Sequence, residues 1–292
     1  MPTNRLGYAR FRAWLPALAG LAAVSGSSVP AAAQPPKRVV SMNVCTDQLA
    51  MLVAGERQLH SVSHLASDPN TSVLADRARG LAVNHGLAEE VFLMHPDLVL
   101  AGTYTTRTTV ALLRRLGVRV EEFAPDSSIA DIRTNILRMG EVLEQRERSA
   151  ELVAELEHGL AELGKGGASH KTVATYYANS YTSGAGTLVD EIVKLSGLVN
   201  VADRLGLSGT ARLPLEMLVL SKPDLVAGGG EDYGAPALAQ ENFVHPAYRA
   251  VAKQGRAVAV PSRYTICGAP FTLEAARLLR DAASQLDKGE AK

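Results

Sequence analysis

Tryptophan, cysteine and net charge are what this sequence has least of. Its one tryptophan, Trp14, lies in an N-terminal segment expected to be removed, and aromatic residues make up only 5% of the chain. Lys and Arg number 30 against 30 Asp and Glu, and a chain without a basic surplus lacks the electrostatic footprint of a nucleic-acid binder. Walker A and Gly-x-Ser-x-Gly sequences are absent. Gly184-Ala185-Gly186 follows an expected strand, but the third glycine of a dinucleotide fingerprint is missing, and Asp190 and Glu191 would repel a pyrophosphate. No nucleophile or acid–base pair has an evident partner, so no catalytic residue is assigned. Of the seven histidines, His60, His64, His85, His95, His158, His170 and His245, only His60 and His64 show His-x-x-x-His spacing, across a strand end. A bound transition metal needs three or four converging ligands, so no metal site is assigned.

The apolar runs are also short. The longest, Trp14 to Val24, follows Arg5, Arg10 and Arg12 and precedes the small residues Ala31-Ala32-Ala33. That is the layout of a signal peptide cleaved after Ala33, and the run falls short of the roughly 20 residues a membrane span needs. No cysteine follows at a lipidation position, so a soluble exported protein is expected. An oxidising compartment permits a disulfide between the two cysteines, Cys45 and Cys267. A soft ligand to a bound metal complex, or two unrelated thiols, are the other readings.

What is present is organised around Ser127–Leu163. Ile129, Ile132, Ile136, Met139 and Leu143, then Val153, Leu156, Leu160 and Leu163, recur at helical steps. Ser128 with Asp131 caps the start, and Gly164 to Gly167 stops it; only the charged run Glu144–Arg148 interrupts the stripe. At 1.5 Å per residue such a helix is on the order of 50 Å long, enough to tie two bodies together. The flanks repeat each other. Glu89 stands seven residues before Pro96-Asp97-Leu98-Val99, and Glu216 stands seven before Pro223-Asp224-Leu225-Val226. The spacing predicts two lobes of similar α/β construction: a signal peptide 1–33, an N-terminal lobe 34–126, a connecting helix 127–165 and a C-terminal lobe 166–292. Short strands alternate with helices in each, implying mainly parallel sheets. Thr46 is read as the cap of the first helix.

Ligands of such sheets sit outside the carboxyl ends of the strands. Loops expected there carry Cys45, His64, Tyr104 and Arg107 in the first lobe. In the second they carry Tyr181, Arg212, Tyr233, Arg263, Tyr264 and Cys267. Tyrosine and arginine suit flat or anionic ligands, through ring faces, hydroxyls and forked donors. Together they predict a binding cleft.

Arg38-Val39-Val40-Ser41 at the start of the mature chain, the doubled Glu…Pro-Asp-Leu-Val blocks and the long helix between them resemble the periplasmic binding proteins of ABC importers for iron-siderophores and cobalamin. The likeness covers Arg38 to Leu286. It implies two Rossmann-like α/β lobes joined by a single long helix, a ligand cleft between them, and a periplasmic monomer that captures a metal chelate without altering it. No covalently bound cofactor is implied. Glu89 and Glu216 match the family's glutamates that engage the membrane permease. With no mature tryptophan and with Arg107, Arg212 and Arg263 available, a ferric siderophore is the first expected cargo; a corrinoid is the second, and haem, with His64 or Tyr104 as axial ligand, a further one. The reading from another class is an exported α/β enzyme using the same cleft.

Overall fold

Hydrophobic strands of three to five residues, each followed by an amphipathic helix, build the first lobe around one parallel sheet. The computed structural model describes residues 34–105, 107–228, 238–253 and 256–290; the expected signal peptide and Tyr233 lie outside them. In chain order the first lobe is β1 (Val39–Ser41), α1 (Val44–Val53), β2 (Leu59–Ser63), α2 (Ala75–Ala78), β3 (Ala82–Asn84), α3 (Ala88–Leu93), β4 (Leu98–Gly102), α4 (Arg107–Arg115) and β5 (Val120–Phe123). The strands lie in the order β3-β2-β1-β4-β5, all parallel. Strand order reverses between β1 and β4, so the loops after these two strands flank the crevice where open sheets bind ligands. The cap of α1 is Asn43, whose side chain accepts the Cys45 N–H. Thr46, expected as the cap, sits in the first turn and is buried, its hydroxyl bonded to Ser41 and to the Asn43 carbonyl. Asn43 wins because an extended residue with a short amide reaches the free N–H groups of the turn.

The expected continuous helix from 127 to 165 is two helices, α5 (Ile129–Val142) and α6 (Arg146–Gly164). Ser128 does cap the first, its hydroxyl accepting the Asp131 N–H. The chain then reverses at Leu143-Glu144-Gln145, with Glu144 left-handed at φ 56°. The two helices run antiparallel: Gly140 packs on Ser149 near the turn, and Arg133 pairs with Glu157 at 2.6 Å further along. A Cβ at 140 would collide with the Ser149 side chain, so glycine permits the close approach. Ile132, Ile136, Met139 and Leu143 on one helix and Leu152, Leu156 and Leu163 on the other enter one core. The apolar stripe therefore continues across the reversal, which explains why periodicity ran on through it. The connector is α6 alone, about 28 Å long at 1.5 Å per residue. It packs on α1 of the first lobe and on two helices of the second, Leu188–Leu195 and Thr272–Glu290.

The second lobe comprises β6 (Thr172–Thr175), β7 (Tyr181–Ser183), α7 (Leu188–Leu195), β8 (Val199–Asn200), α8 (Val201–Arg204), β9 (Thr210–Arg212), α9 (Leu215–Ser221), β10 (Leu225–Ala227), α10 (Glu241–Val244), α11 (Pro246–Val251), β11 (Ala257–Val258) and α12 (Thr272–Glu290). Its parallel sheet runs β11-β10-β6-β8, and β7 and β9 form a separate antiparallel pair. One apolar core runs from Val39 and Leu98 through α5 and α6 to Val173, Ile192 and Leu279, so the lobes share a continuous interior. Among the described residues no helix is long and apolar enough to cross a membrane.

The repeat seen in the sequence is a repeat of structure. Asp97 accepts the N–H groups of Lys37 and Arg38 at 2.6 and 3.0 Å, just before β1. Asp224 accepts the Thr172 N–H and hydroxyl at 2.7 and 2.8 Å, at the start of β6. In each lobe the Pro-Asp aspartate thus anchors the strand from which its sheet is built.

Candidate functional site

Loops at the carboxyl ends of both sheets meet along one seam. Cys45, in the first turn of α1, is disulfide-bonded to Cys267, beyond β11, with Cα atoms 5.1 Å apart. Neither is then a free thiolate, so the reading of these two as soft donors to a ligand gives way to the disulfide. Beside the bridge the Gly268 N–H donates to Asp126 Oδ2 at 3.1 Å, and Asp126 Oδ1 accepts the Asn135 amide at 2.8 Å. Burial, with the nearby Asp131 carboxylate, raises the Asp126 pKa to about 6 against the pull of those donors. Arg263 donates to the Pro69 carbonyl at 3.3 Å and stacks over the Tyr264 ring. Tyr264 in turn lines a groove of about 510 Å³ with Leu52, Leu74, Leu152 and Leu273, next to α6 and α12. Arg263, Tyr264 and the two cysteines therefore belong to a joint that binds residues 261–271 to the first lobe.

The remaining groups stand on the carboxyl edges. His64 opens the short 3-10 turn after β2, and His85 follows β3; these strands are neighbours. Their rings stack at 5.4 Å with planes 21° apart, and both side chains are exposed. Glu90, in the first turn of α3, accepts the His85 N–H at 2.7 Å and bonds ring Nδ1 at 3.1 Å. Its partial burial raises the Glu90 pKa, but the His85 hydrogen bonds and the charges of His85 and His64 outweigh this and hold it below the usual value. A carboxylate on Nδ1 fixes the tautomer and leaves Nε2 of His85, on an exposed side chain, without a hydrogen-bond partner among the described residues, the arrangement found behind metal-ligating histidines. His60, the other half of the His-x-x-x-His pair, instead bonds Arg38 at 2.8 Å. Among the described residues no three or more His, Cys, Asp or Glu side chains gather into a metal cluster.

Tyr104, in the turn after β4, is 87% exposed, and Arg107 opens α4 on the same edge. On the second lobe Tyr181 and Arg212 are paired across β7 and β9, the guanidinium 5.4 Å from the ring centre. β7 follows a turn in which Asn179 and Ser180 both hold left-handed φ, 56° and 59°. Two such non-glycine residues in succession are sparsely populated backbone of the kind that clusters at ligand sites. The sequence reading missed His85 and Glu90 as a unit. Each histidine follows a strand end, at 63 and 84, but the adjacency of those ends is a property of the sheet and not of the local sequence.

Glu89 and Glu216 lie in the first turns of α3 and α9, both exposed. Neither has a hydrogen-bond or ion-pair partner among the described residues.

Residues 39–260 match the family described as Periplasmic binding protein. A curated "Cobalamin-binding protein" of Halobacterium salinarum is 25% identical over 199 residues, 66% of this chain and 54% of that protein. The chain thus spans about half the length of the curated relatives it matches. Among solved structures, a possible iron-binding solute-binding protein from Staphylococcus epidermidis superposes with a TM-score of 0.70 at 17% identity, over 86% of this chain and 99% of that one. A periplasmic heme-binding protein from Roseiflexus sp. RS-1 does so with 0.69 at 22% identity, over 85% and 99%. These structural likenesses show the two-lobe fold.

Proposed function

Since this chain belongs to the periplasmic binding protein family, we propose that it is the solute-capturing component of an ABC importer whose cargo is a metal chelate with an open axial position, a haem or a corrinoid. Residues 1–33 act as its signal peptide, cut after Ala33, and the mature protein works in the periplasm as a monomer. It binds its cargo without chemistry. One observation carries the choice of cargo: the exposed His64–His85 stack at the carboxyl edge, with Glu90 on Nδ1 of His85 leaving its Nε2 unpartnered among the described residues. A neutral imidazole is a good donor to iron and cobalt. The relative described as cobalamin-binding and the fold neighbour described as heme-binding agree with such a cargo.

Tyr104 and Arg107 on one edge, with the Tyr181–Arg212 pair on the other, supply ring faces and cations for the flat body and carboxylate or amide arms of the chelate. Those same four residues favour the second reading, a ferric siderophore, whose iron is already saturated and needs no histidine. Titration with haemin, aquocobalamin and a ferric hydroxamate, followed by visible absorption, separates the two. The His64→Ala/His85→Ala variant is expected to lose the axial-ligand band shift and at least ten-fold in affinity for haemin or aquocobalamin. If wild-type protein and variant bind the hydroxamate equally well and neither shifts the other spectra, the axial reading is wrong and the siderophore stands.

Glu89 and Glu216 dock the loaded protein on the permease, where ATP hydrolysis on the far side drives release. Exposed charges of this kind set register and association rate. The double variant Glu89→Gln/Glu216→Gln is expected to abolish uptake while leaving chelate affinity unchanged. Normal transport by that variant would remove the docking assignment.

A further inference from the structure

Each lobe presents the same three-residue surface around its unpartnered glutamate. In α3, Glu89 is followed at three and four residues by Phe92, 38% exposed, and Leu93, 71% exposed. In α9, Glu216 is followed at the same offsets by Val219, 37% exposed, and Leu220, 71% exposed. Residues three and four apart lie on one face of a helix. The residue two places after each glutamate, Val91 or Leu218, is fully buried and sets the opposite face. Both helices then end alike, at a left-handed residue, His95 at φ 50° and Lys222 at φ 46°, ahead of Pro-Asp. The two aspartates, Asp97 and Asp224, tie the two helix ends to their sheets, so both faces are held on rigid scaffolds.

A single exposed leucine is ordinary. A leucine beside a second apolar residue and an unpaired acid, repeated at identical offsets on two lobes, is a repeated binding surface. We propose that Phe92–Leu93 and Val219–Leu220 are docking anchors that insert into two equivalent apolar pockets, each beside a cation that takes Glu89 or Glu216, on two copies of one integral-membrane subunit. The proposal rests on the docking role of the two glutamates given above, and adds the apolar half of the contact. Charge complementarity selects that partner. A second copy of this chain would set glutamate against glutamate in an isologous contact, and an anionic lipid surface would repel both acids. Desolvated apolar anchors would supply residence time, with the peripheral charges guiding encounter.

The test uses the full chain in its own cells. With p-benzoylphenylalanine in place of Leu93 or of Leu220, irradiation is expected to join both positions to the same integral-membrane polypeptide, identified by mass spectrometry. Leu93→Ser/Leu220→Ser is expected to lose at least ten-fold in uptake of radiolabelled haemin or cobalamin, with melting temperature and chelate affinity unchanged. Cross-links to two different polypeptides, to a second copy of the chain or to lipid overturn the proposal. So does normal uptake by the leucine variant. If the glutamate variant loses uptake and the leucine variant does not, the apolar anchors fail while the docking reading survives. If both variants transport normally and still bind chelate, the docking reading itself fails.

Discussion

Reducing the Cys45–Cys267 bond is expected to lower the unfolding free energy by about 5 kcal/mol, the value the chain-entropy relation gives for a loop this long. The bridge spans 222 residues and closes both lobes into one ring, which is why the expected effect is large. Two features make the folded state indifferent to the bond itself. Cys267 is buried, and the joint is also held by the Gly268–Asp126 and Arg263–Pro69 hydrogen bonds, which do not depend on the sulfur atoms. The loss therefore falls on the unfolded ensemble, which gains freedom. Urea unfolding of oxidised and reduced wild-type protein measures it without introducing a cavity. The apolar core is continuous from Val39 to Leu279, so one cooperative transition is expected in both states. A difference under 1 kcal/mol, or two separated transitions, would show that the lobes unfold independently and that the bridge does not constrain them jointly.

That joint was half legible from the residues. Both cysteines could be placed on carboxyl-end loops because those loops follow apolar strands and precede helix caps, which are local patterns. Their bonding could not, because it depends on how the two lobes bring together residues 222 positions apart. The α5–α6 reversal was hidden for a different reason. Periodicity reports which face is buried, and both helices of an antiparallel hairpin bury the same stripe in one core. The local mark of the turn was the charged run at Glu144, whose left-handed backbone no hydrophobic pattern encodes. The Glu…Pro-Asp blocks were readable as helix, stop and strand, which are local, but the anchoring by Asp97 and Asp224 was not, because their partners lie 60 and 52 residues away. The β7–β9 pair and the His64–His85 stack were not, because strand order within a sheet decides them. His85 becomes part of a site only once β3 is placed beside β2.

The same limit applies to Asp47, whose consequence is the second large one. It lies in the first turn of α1, fully buried, with Oδ2 accepting the Ser63 N–H at 3.1 Å and its hydroxyl at 2.5 Å. Its Oδ1 has no hydrogen-bond partner among the described residues. Burial raises the pKa to about 6, and the Ser63 hydroxyl and N–H, with the nearby Ser41 hydroxyl, offset this only in part. The second lobe resolves the equivalent burden differently: buried Asp190 is neutralised by Lys194 at 2.7 Å and accepts the Asn200 amide at 2.9 Å. Asp47 has no such cation among the described residues. Because the folded state holds its proton more tightly than the unfolded chain, the stabilisation is fully present below the unfolded value near 4. It is lost as pH rises through about 6. At 1.36 kcal/mol per pKa unit the loss between pH 3.5 and 7.5 is roughly 3 kcal/mol. Asp47→Asn cannot ionise, so its stability relative to wild type should rise by that amount over the same interval. Asp126 also titrates near 6, but it is present in both proteins and cancels in the difference. Urea unfolding of the pair at pH 3.5 and 7.5 reads the change directly. Parallel pH profiles would mean that Asp47 is hydrated or paired in solution and carries no buried charge at neutral pH.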